Sequence, residues 1–542
     1  MDQQAVIKFR TQLRGGLIEP TDAGYEDARK VYNAMISRKP ALIARCADVA
    51  DVMTAIHFGR QHGVKVSIRG GGHNAGGLGV CDDGLVIDRS KIKYVHVDPS
   101  AKTVRAGGGC TWGDVDHATH AFGLAVPSGI ISTTGVGGLT LGGGLGHLTR
   151  KCGLTIDNLL AADVVLADGR FVVASAKENP DLFWAIRGGG GNFGVVTSFL
   201  FQAHPVHTVC AGPMLWEMAE AADIMKWYRG FIVQAPEEIN GFFAFLEVPP
   251  APPFPEALHF KKMCGIVWCF NGSLEEANKL VGALRDFRPP AFEFFAPMPY
   301  PMLQSMFDGL YVPGLQWYWK ADFVKELTDE AIALHIAHGS KLPTLHSTMH
   351  LYPVNGAAHR VGKDDTPWGY RDALWSQVIV GADPDPANKD QITAWARDYW
   401  MSLHPFGAGG AYVNFMMEGE GEERILAHRL RGLELGDLLA EIGHEDPVDE
   451  EVVLVDDLAV LALDDLHRVH DEHADLDDLA GLDARRDPDA NATDLGHGRA
   501  PYPPHPPTVT LTSRRAARSV PSLSSATART SVLSPSRRLV PT

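Results

Sequence analysis

The sequence is poor in cysteine, and its cysteines form no pattern that indicates a metal site or a disulfide framework. The 7 cysteines among 542 residues are scattered, and none belongs to a CxxC pair. The sequence also lacks an apolar run of about 18 residues, and its N-terminus has no signal-peptide pattern. We therefore expect a cytoplasmic protein with reduced thiols, no metal and no membrane-spanning segment.

Positive charge is also scarce. Lys and Arg number 49 against 66 Asp and Glu, so the formal net charge is −17. Nucleic acids and anionic membranes select clustered Lys and Arg, so neither is expected as a partner. The acidic excess is concentrated in residues 433–499, which leaves residues 1–427 as a mildly acidic body. No GxxxxGK[ST] motif is present, and this absence argues against a P-loop nucleotide site.

The body of the chain has ordinary globular composition, with 45% hydrophobic and 21% charged residues. Residues 40–206 contain short alternating segments that predict strands, interrupted by two segments with helical periodicity, 49–63 and 111–123. After residue 210, longer predicted strands are separated by predicted helices at 273–287 and 387–404. This pattern favours an α+β first domain and a second domain in which helices cover a sheet. The aromatic run WYWKADF at 317–323 either lines a pocket or packs in that core.

The C-terminal part has a different composition. Residues 428–542 contain no Lys, Gln, Met, Cys, Phe or Trp, and the last 43 residues are a mixture rich in Ser, Pro and Arg. Too little apolar surface is present to offset the conformational entropy of the chain. We therefore expect a tail that is largely disordered, with short helices only in its acidic part.

Three glycine clusters stand out, at 68–74, 133–148 and 187–199. Successive backbone N–H groups in glycine-rich turns bind anions, so three converging clusters suit a ligand that carries a diphosphate. The run GGGNFG at 189–194 matches GxGxxG, but a helical pattern precedes it and a strand pattern follows it. The dinucleotide fingerprint requires the reverse order, so a Rossmann site is not expected.

The three glycine motifs, in this order, resemble those of the PCMH-fold FAD-linked oxidoreductases of the vanillyl-alcohol-oxidase type. The runs RGGGHN, GVGGLTLGGGLGHLTRKCGLTIDNL and NPDLFWAIRGGGGNFGVVTSF are similar to the branch that includes berberine bridge enzyme and 6-hydroxynicotine oxidase. The resemblance implies a PCMH-type FAD-binding domain at 1–207 and an α/β substrate-binding domain, an antiparallel sheet covered by helices, at 208–426. The atypical tail follows at 427–542.

The resemblance also implies how FAD is held. His73 occupies the position at which relatives carry a histidine bonded to the 8α-methyl of the flavin, while Gly135 stands where many relatives have a second, cysteinyl tether. A single covalent link through His73 is therefore expected. The FAD-binding residues implied by the motifs are Arg69, Gly70, Gly71, Gly72, His73, Asn74, Gly135, Gly137, Gly138, Gly142, Gly143, Gly144, Gly194, Val196 and Asn414. Cys110 and Cys152 match no tether position and are expected to be buried residues.

The implied reaction is the oxidation of a small organic alcohol, amine or sugar by hydride transfer to flavin N5, with O₂ as the electron acceptor. The segment 409–419 resembles a late strand of the family, on which Tyr412 is the candidate base and Asn414 contacts flavin or substrate. Alternation would place both on one side of that strand. His350 and Tyr352, two residues apart in a predicted strand, are further catalytic candidates, whereas Asp157 and Asn158 are expected to order a loop.

The usual continuation of the family after this strand is missing beyond Leu426. We interpret residues from about 427 onward as an out-of-frame or otherwise replaced terminus. This departure from the family pattern allows an alternative function: the protein is a catalytically silent flavin-binding remnant whose site stays open. The sequence leaves the oligomeric state open.

Overall fold

The N-terminal part of the protein forms a four-stranded sheet, in a computed structural model that describes residues 2–417. Its elements are α1 (Gln3–Gln12), β1 (Leu17–Ile18), α2 (Tyr25–Ala28), β2 (Leu42–Arg45), α3 (Val49–His62), β3 (Val66–Arg69) and β4 (Leu85–Asp88). The strands lie in the order β1-β2-β4-β3, with β2, β3 and β4 parallel and β1 antiparallel to β2. Helix α3 packs on this sheet. It begins at Asp48, whose carboxylate accepts the N–H of Asp51, and ends at the left-handed Gly63.

A five-stranded antiparallel sheet follows. The elements of this part are β5 (Val95–Asp98), β6 (Thr103–Gly107), α4 (Trp112–His120), β7 (Leu124–Ala125), α5 (Val136–Leu141), α6 (Thr149–Cys152), β8 (Leu159–Val165), β9 (Phe171–Ser175), α7 (Pro180–Ala185) and β10 (Val195–Gln202). The sheet order is β5-β6-β10-β8-β9. The third glycine cluster follows helix α7 and precedes strand β10. The order helix, glycine, strand therefore confirms that this GxGxxG run is not a Rossmann fingerprint.

The C-terminal half of the described chain forms one large antiparallel sheet. Its elements, with one small strand that pairs with β7, are β11 (His204–Pro205), β12 (Thr208–Glu217), α8 (Ala221–Gln234), β13 (Ile239–Glu247), β14 (Lys262–Phe270), α9 (Leu274–Phe287), β15 (Phe292–Glu293), β16 (Ala296–Pro299), α10 (Tyr300–Gln304), β17 (Gln316–Val324), α11 (Asp329–Gly339), β18 (Thr348–Pro353), β19 (Trp375–Asp383) and α12 (Lys389–Leu403). The eight strands run β15-β12-β14-β13-β18-β19-β17, with β16 also paired to β12.

Both faces of this eight-stranded sheet are buried, and alternation along the strands separates them. Helices α8, α9, α11 and α12 pack on one face, which we call the helix-covered face. The other face packs against the N-terminal part of the chain through Tyr32, Leu145 and Leu154, and we call it the site face. Side chains on the site face include Phe242, Ala244, Trp317, Phe323, Tyr352 and Val380.

The α+β architecture predicted from the sequence, with helices over an antiparallel sheet, is confirmed. The run 317–323 lies within β17, where Trp317 and Trp319 belong to the site face while Tyr318 packs on the other side. All seven cysteines are buried free thiols, Cys110 and Cys152 among them. No helix within residues 2–417 is both long and apolar enough to cross a membrane. The predicted tail, residues 427–542, lies outside the described residues.

Candidate functional site

The first two glycine clusters touch each other through their backbones. A Cβ atom built on Gly71 would lie 2.6 Å from the backbone nitrogen of Gly135, and one built on Gly135 would lie 2.5 Å from the nitrogen of Gly71. Real Cβ atoms do not approach backbone atoms this closely, so a side chain at either position would force the loops apart. The glycines are therefore explained by close approach of two chain segments.

The third glycine cluster joins the second at the end of α5. The N–H groups of Gly188 and Gly190 both donate to the carbonyl of Leu141, each at 3.0 Å. Gly194 immediately precedes β10, and a Cβ there would lie 2.7 Å from the carbonyl oxygen of Val165. The three clusters thus form one continuous backbone surface.

Arg89 lies behind this surface, and its guanidinium is buried where the clusters meet. Its Nη1 donates to the carbonyl of Val196, and its Nη2 lies 3.2 Å from the Cβ position of Gly70 and 2.9 Å from that of Gly137. Burial lowers the pKa of Arg89 to about 10, so the group stays charged at neutral pH. Its buried Nε has no partner among residues 2–417. A buried cation beneath glycine loops makes this surface attractive to an anion such as a diphosphate.

Arg69 and Asn74 stabilise the first glycine loop from within. The Arg69 guanidinium donates to Asp88 at 2.8 Å, and both side chains are buried. The Asn74 carboxamide oxygen accepts the N–H of Leu78 at 3.0 Å, which closes the turn after His73. Gly70, Gly71, Gly72 and His73 line a groove of ≈ 320 Å³, at the small end of the range for ligand pockets of about 300–1,000 Å³.

His73 is held by two neighbours. Its Nε2 lies 3.1 Å from the hydroxyl of Thr133, and its ring stacks on Tyr32 with centroids 4.0 Å apart and planes 23° apart. Burial lowers the pKa of His73 to about 4, so the imidazole is neutral at physiological pH. A neutral imidazole keeps one nitrogen lone pair, which a nucleophile needs.

The prediction of a strand at 409–419 is wrong for residues 409–417, the part of this segment that the structure describes. Residues Val413–Phe415 form a 3₁₀ turn, and Tyr412 precedes it in an extended conformation. The segment turns because Tyr412 and Asn414 dock on the second glycine cluster instead of pairing with the sheet. The N–H of Gly144 donates to the Tyr412 hydroxyl at 2.9 Å, and the Asn414 amide donates both to that hydroxyl and to the carbonyl of Leu139, each at 3.0 Å.

Several glycines of the second cluster make room for this docking. A Cβ on Gly142 would overlap the Asn414 side chain, and one on Gly143 would lie 2.9 Å from the ring of Trp368. Gly138 differs, because a Cβ there would meet no heavy atom within 4 Å. Gly138 therefore faces open space beside the other glycines.

The site face carries a histidine and a tyrosine that contact each other. The Nδ1 of His350 lies 2.7 Å from the Tyr352 hydroxyl, and Phe242 packs against both rings. Burial lowers the pKa of His350 to about 3 and raises that of Tyr352 well above its usual range, so both groups are neutral. The hydrogen bond fixes the orientation of the phenol relative to the imidazole.

Three indole N–H groups near this pair have no acceptor among the described residues. They belong to Trp317, Trp319 and Trp368, all in the cluster of the site face. Buried donors in folded proteins are almost always paired, so these three N–H groups are available to a ligand that carries acceptor atoms. Together with the glycine surface and the unpaired Nε of Arg89, they fit the diphosphate and ring system of the FAD implied by the sequence motifs.

Arg89, Thr133 and Tyr32 are site residues that the sequence analysis missed. Arg89 follows β4 and has no motif of its own, and Tyr32 lies some 40 positions before His73. Thr133 is the first residue of the second glycine cluster, and this position was the one sequence signal that could have identified it as a site residue. Asp157 orders a loop as predicted, since its carboxylate accepts the N–H of Leu154 and pairs with the buried Arg371.

Comparisons with known proteins relate the chain to FAD-linked oxidoreductases. A sequence profile of the FAD binding domain family matches residues 40–175. An FAD-linked oxidoreductase from Dictyostelium discoideum is 30% identical over 409 residues, which cover 75% of this chain and 87% of that protein. (R)-6-hydroxynicotine oxidase from Paenarthrobacter nicotinovorans is 38% identical over 205 residues, covering 38% of this chain and 45% of that protein.

The fold is also similar to that of a solved structure. BBE-like 1 from Physcomitrella patens superposes with a TM-score of 0.70 at 24% sequence identity. The match covers 80% of this chain and 95% of that one. At this identity the similarity supports the fold.

Proposed function

Because this chain belongs to the FAD-linked oxidoreductases, in the branch of 6-hydroxynicotine oxidase and the berberine-bridge-enzyme-like proteins, we propose that it oxidises a small organic alcohol, amine or sugar with an FAD linked covalently to His73. The observation that carries the proposal is the convergence of three glycine clusters over the buried Arg89, with His73 at the edge of the same surface. The proposed FAD-binding domain spans residues 1–207, and the proposed substrate-binding domain begins at residue 208.

The cofactor would supply hydride acceptance at N5 and return of its electrons to O₂. The chain's own contribution is to hold it. Backbone N–H groups of the glycine clusters and the charge of Arg89 suit the diphosphate, while the unpaired indole donors suit the acceptor atoms of the ring system. The proposed linkage of His73 keeps the cofactor in place.

We assign acid–base work to the pair of Tyr352 and His350. The Tyr352 hydroxyl lies on the site face, and its hydrogen bond with His350 holds the phenol in one orientation for proton exchange with substrate. The hydroxyl of Tyr412 already accepts two N–H groups from the glycine side. Tyr412 therefore suits orientation of the loop and ligand better than proton abstraction, and Asn414 serves the same role.

The surroundings of this pair bear on the substrate. Phe242 and Tyr311 contact His350, and Phe307 packs behind Phe242, so the wall beside the pair is aromatic. Such a wall excludes water and packs against the flat or apolar part of a ligand. We propose a compact substrate whose oxidised carbon lies next to a hydroxyl or an amino nitrogen.

The experiment that tests the proposal is purification of the full chain followed by acid precipitation. We expect yellow protein whose flavin stays with the pellet, and whose absorbance near the flavin band bleaches anaerobically with one member of a panel of alcohols, amines and sugars. Reoxidation on mixing with air, with release of hydrogen peroxide, supports O₂ as acceptor. Flavin that stays bound but is bleached by no panel member supports the silent remnant, and protein without flavin contradicts both.

A further inference from the structure

Residues 305–314, which we call the wall segment, lie between α10 and β17 along one side of the site face. Phe307 of this segment packs against Phe242, with ring centroids 6.2 Å apart. Tyr311 stands edge-on to His350, also with centroids 6.2 Å apart. The wall segment therefore forms part of the aromatic wall beside the tyrosine–histidine pair.

The wall segment consists of turns and contains no helix or strand. The N–H groups of Leu310 and Tyr311 both donate to the carbonyl of Phe307. A Cβ atom on Gly309 or Gly314 would meet no heavy atom within 4 Å, so the segment has open space on its outer side. A segment of turns with open space beside it depends on contacts with other parts of the chain to keep its position.

Hydrogen bonds join the wall segment to the proposed FAD-binding domain. Asp308 accepts two of them from Ser132, one from the backbone N–H at 3.0 Å and one from the hydroxyl. The carbonyl of Tyr311 accepts the hydroxyl of Tyr32 at 2.7 Å, and the N–H of Gly314 donates to the carbonyl of Tyr32 at 2.9 Å. Of these contacts, those of Asp308 are made by a side chain of the wall segment, and the others by its backbone.

Both partners of the wall segment belong to stretches of chain that also reach the proposed cofactor site. Tyr32 stacks on His73, with centroids 4.0 Å apart. Ser132 precedes Thr133, whose hydroxyl lies 3.1 Å from Nε2 of His73. The carbonyl of Ser132 accepts the N–H of Gly113 in α4 at 2.8 Å, which supports its turn from behind. The wall segment is therefore positioned by residues on the cofactor side of the site.

We propose that Asp308 is a positioning residue, which holds the wall segment, and with it Phe307 and Tyr311, in place beside the substrate. The proposal rests on the proposed function, because it takes the site face as the place where the substrate binds. Asp308 is assigned no contact with the substrate and acts through the two aromatic rings. A carboxyl group suits this role because its two oxygens accept two hydrogen bonds at once, which fixes the direction of the side chain as well as its distance.

The first test separates substrate affinity from the rate of chemistry in the full-length, flavin-loaded protein. Asp308→Ala removes both hydrogen bonds, and we expect KM for the panel member that bleaches the flavin to rise about tenfold. The limiting rate of flavin reduction should change by less than about twofold, because the reacting groups are untouched. Asp308→Asn keeps an acceptor oxygen, so its KM should return most of the way to the parent value. An unchanged KM in Asp308→Ala would overturn the proposal.

The matched control is Asp98, in the turn between β5 and β6. Its carboxyl group accepts the backbone N–H of Ser100 at 2.9 Å and the Ser100 hydroxyl at 2.6 Å, the same two donor groups that Ser132 offers to Asp308. Asp98→Ala therefore removes a similar contact away from the site and should leave KM unchanged. An equal rise of KM in Asp98→Ala would overturn the specific role of Asp308.

Digestion with chymotrypsin tests the same role without a substrate. The protease cleaves after Phe, Tyr and Leu, so a released wall segment offers Phe307, Leu310 and Tyr311. We expect cleavage at these residues to be about tenfold faster in full-length Asp308→Ala than in the parent protein and in Asp98→Ala, measured by mass spectrometry of the fragments. Equal rates in all three proteins would overturn the positioning role.

The outcomes separate this proposal from the function on which it rests. A panel in which no member bleaches the flavin overturns the proposed function, and the digestion then decides the role of Asp308 by itself. Faster cleavage with an unchanged KM overturns the effect on the substrate and leaves the proposed oxidoreductase function intact. Where Asp308→Ala fails to fold, Ser132→Ala replaces it, because it removes the hydroxyl and keeps the backbone N–H. An unchanged KM and cleavage rate in that variant would likewise overturn the proposal.

Discussion

The two faces of the eight-stranded sheet are both buried but have different neighbours. On the site face, Tyr352 contacts His350 on strand β18, whereas Tyr399 of α12 contacts His335 of α11 within the helix layer that covers the other face. On the helix-covered face the neighbours are amphipathic helices, whose side chains interdigitate with the strands. On the site face the neighbours are glycine loops, which present backbone groups in place of side chains. A similar pair of side chains therefore lies between packed helices on one side of the sheet and, on the other side, at the face where we propose that the substrate binds.

The largest expected effect comes from adding a side chain where the first two glycine clusters touch. Gly135→Ala places a Cβ 2.5 Å from the backbone nitrogen of Gly71, where no flexible side chain is able to yield. We expect a loss of stability on the order of 3 kcal/mol or more and loss of bound flavin, measured by thermal unfolding and by absorbance of the purified protein.

The matched control for this change lies in the helices of the other face. Gly282→Ala, within α9, meets no heavy atom within 4 Å. Alanine stabilises an exposed helix position by up to about 1 kcal/mol relative to glycine. Unfolding temperatures that fall equally in both variants would contradict the distinction between loop glycines and helix glycines.

The next largest effect is a difference in turnover between variants of the two tyrosine–histidine pairs. Tyr352→Phe removes the hydroxyl that we assign to proton transfer, and we expect turnover per bound flavin to fall by roughly 10²-fold. Tyr399→Phe removes a hydroxyl that contacts His335 within the helix layer, so it should lower stability and leave turnover per flavin unchanged. Steady-state rates normalised to flavin content measure both. Equal losses of turnover in the two variants would contradict the assignment.

A smaller effect concerns the contact between α4 and α10 beside the site. Burial raises the pKa of Asp116 to about 8. Oδ1 of this carboxyl and Oε1 of Gln304 both lack partners among the described residues, which suits a protonated carboxyl. The folded protein then binds a proton that the unfolded chain releases above pH ~4, so stability declines as pH rises from about 4 to about 8.

Asp116→Asn should remove this decline, because the amide keeps a donor for Gln304 at every pH. We expect the variant to gain stability over the parent protein as pH rises from 5 to 8, by on the order of 2 kcal/mol at the upper end. Urea unfolding midpoints at pH 5, 6.5 and 8 measure the difference. A difference between variant and parent that does not change with pH would show that Asp116 is ionised in the fold.

The smallest expected effect tests the unpaired indole donors. Trp319→Phe keeps an aromatic ring on the site face and removes an N–H that has no acceptor within residues 2–417. We expect KM to rise by several fold, up to about tenfold, if the donor serves a ligand. Trp268→Phe removes an equally unpaired indole N–H on the helix-covered face and should leave KM unchanged. A change of KM of the same size in Trp268→Phe would contradict a specific role of the Trp319 N–H in ligand binding.

Local sequence patterns predicted most of the secondary structure and the glycine surface. The predicted strand that carries His350 and Tyr352 is present in the structure as β18. The prediction was wrong at 409–419, where the pattern suits a strand but the contacts of Tyr412 and Asn414 with the glycine cluster produce a 3₁₀ turn. Local periodicity does not report such contacts, which join residues far apart in the chain.

The glycine motifs and their order were sufficient to assign the chain to the FAD-linked oxidoreductases, because motif order can be read directly from the sequence. The positions of Arg89 beneath the three glycine loops, of Tyr32 over His73, and of Tyr352 beside His350 became visible in the folded chain alone. Those pairings depend on packing between segments up to some 280 residues apart, and packing of this kind is settled by shape and burial when the whole chain folds.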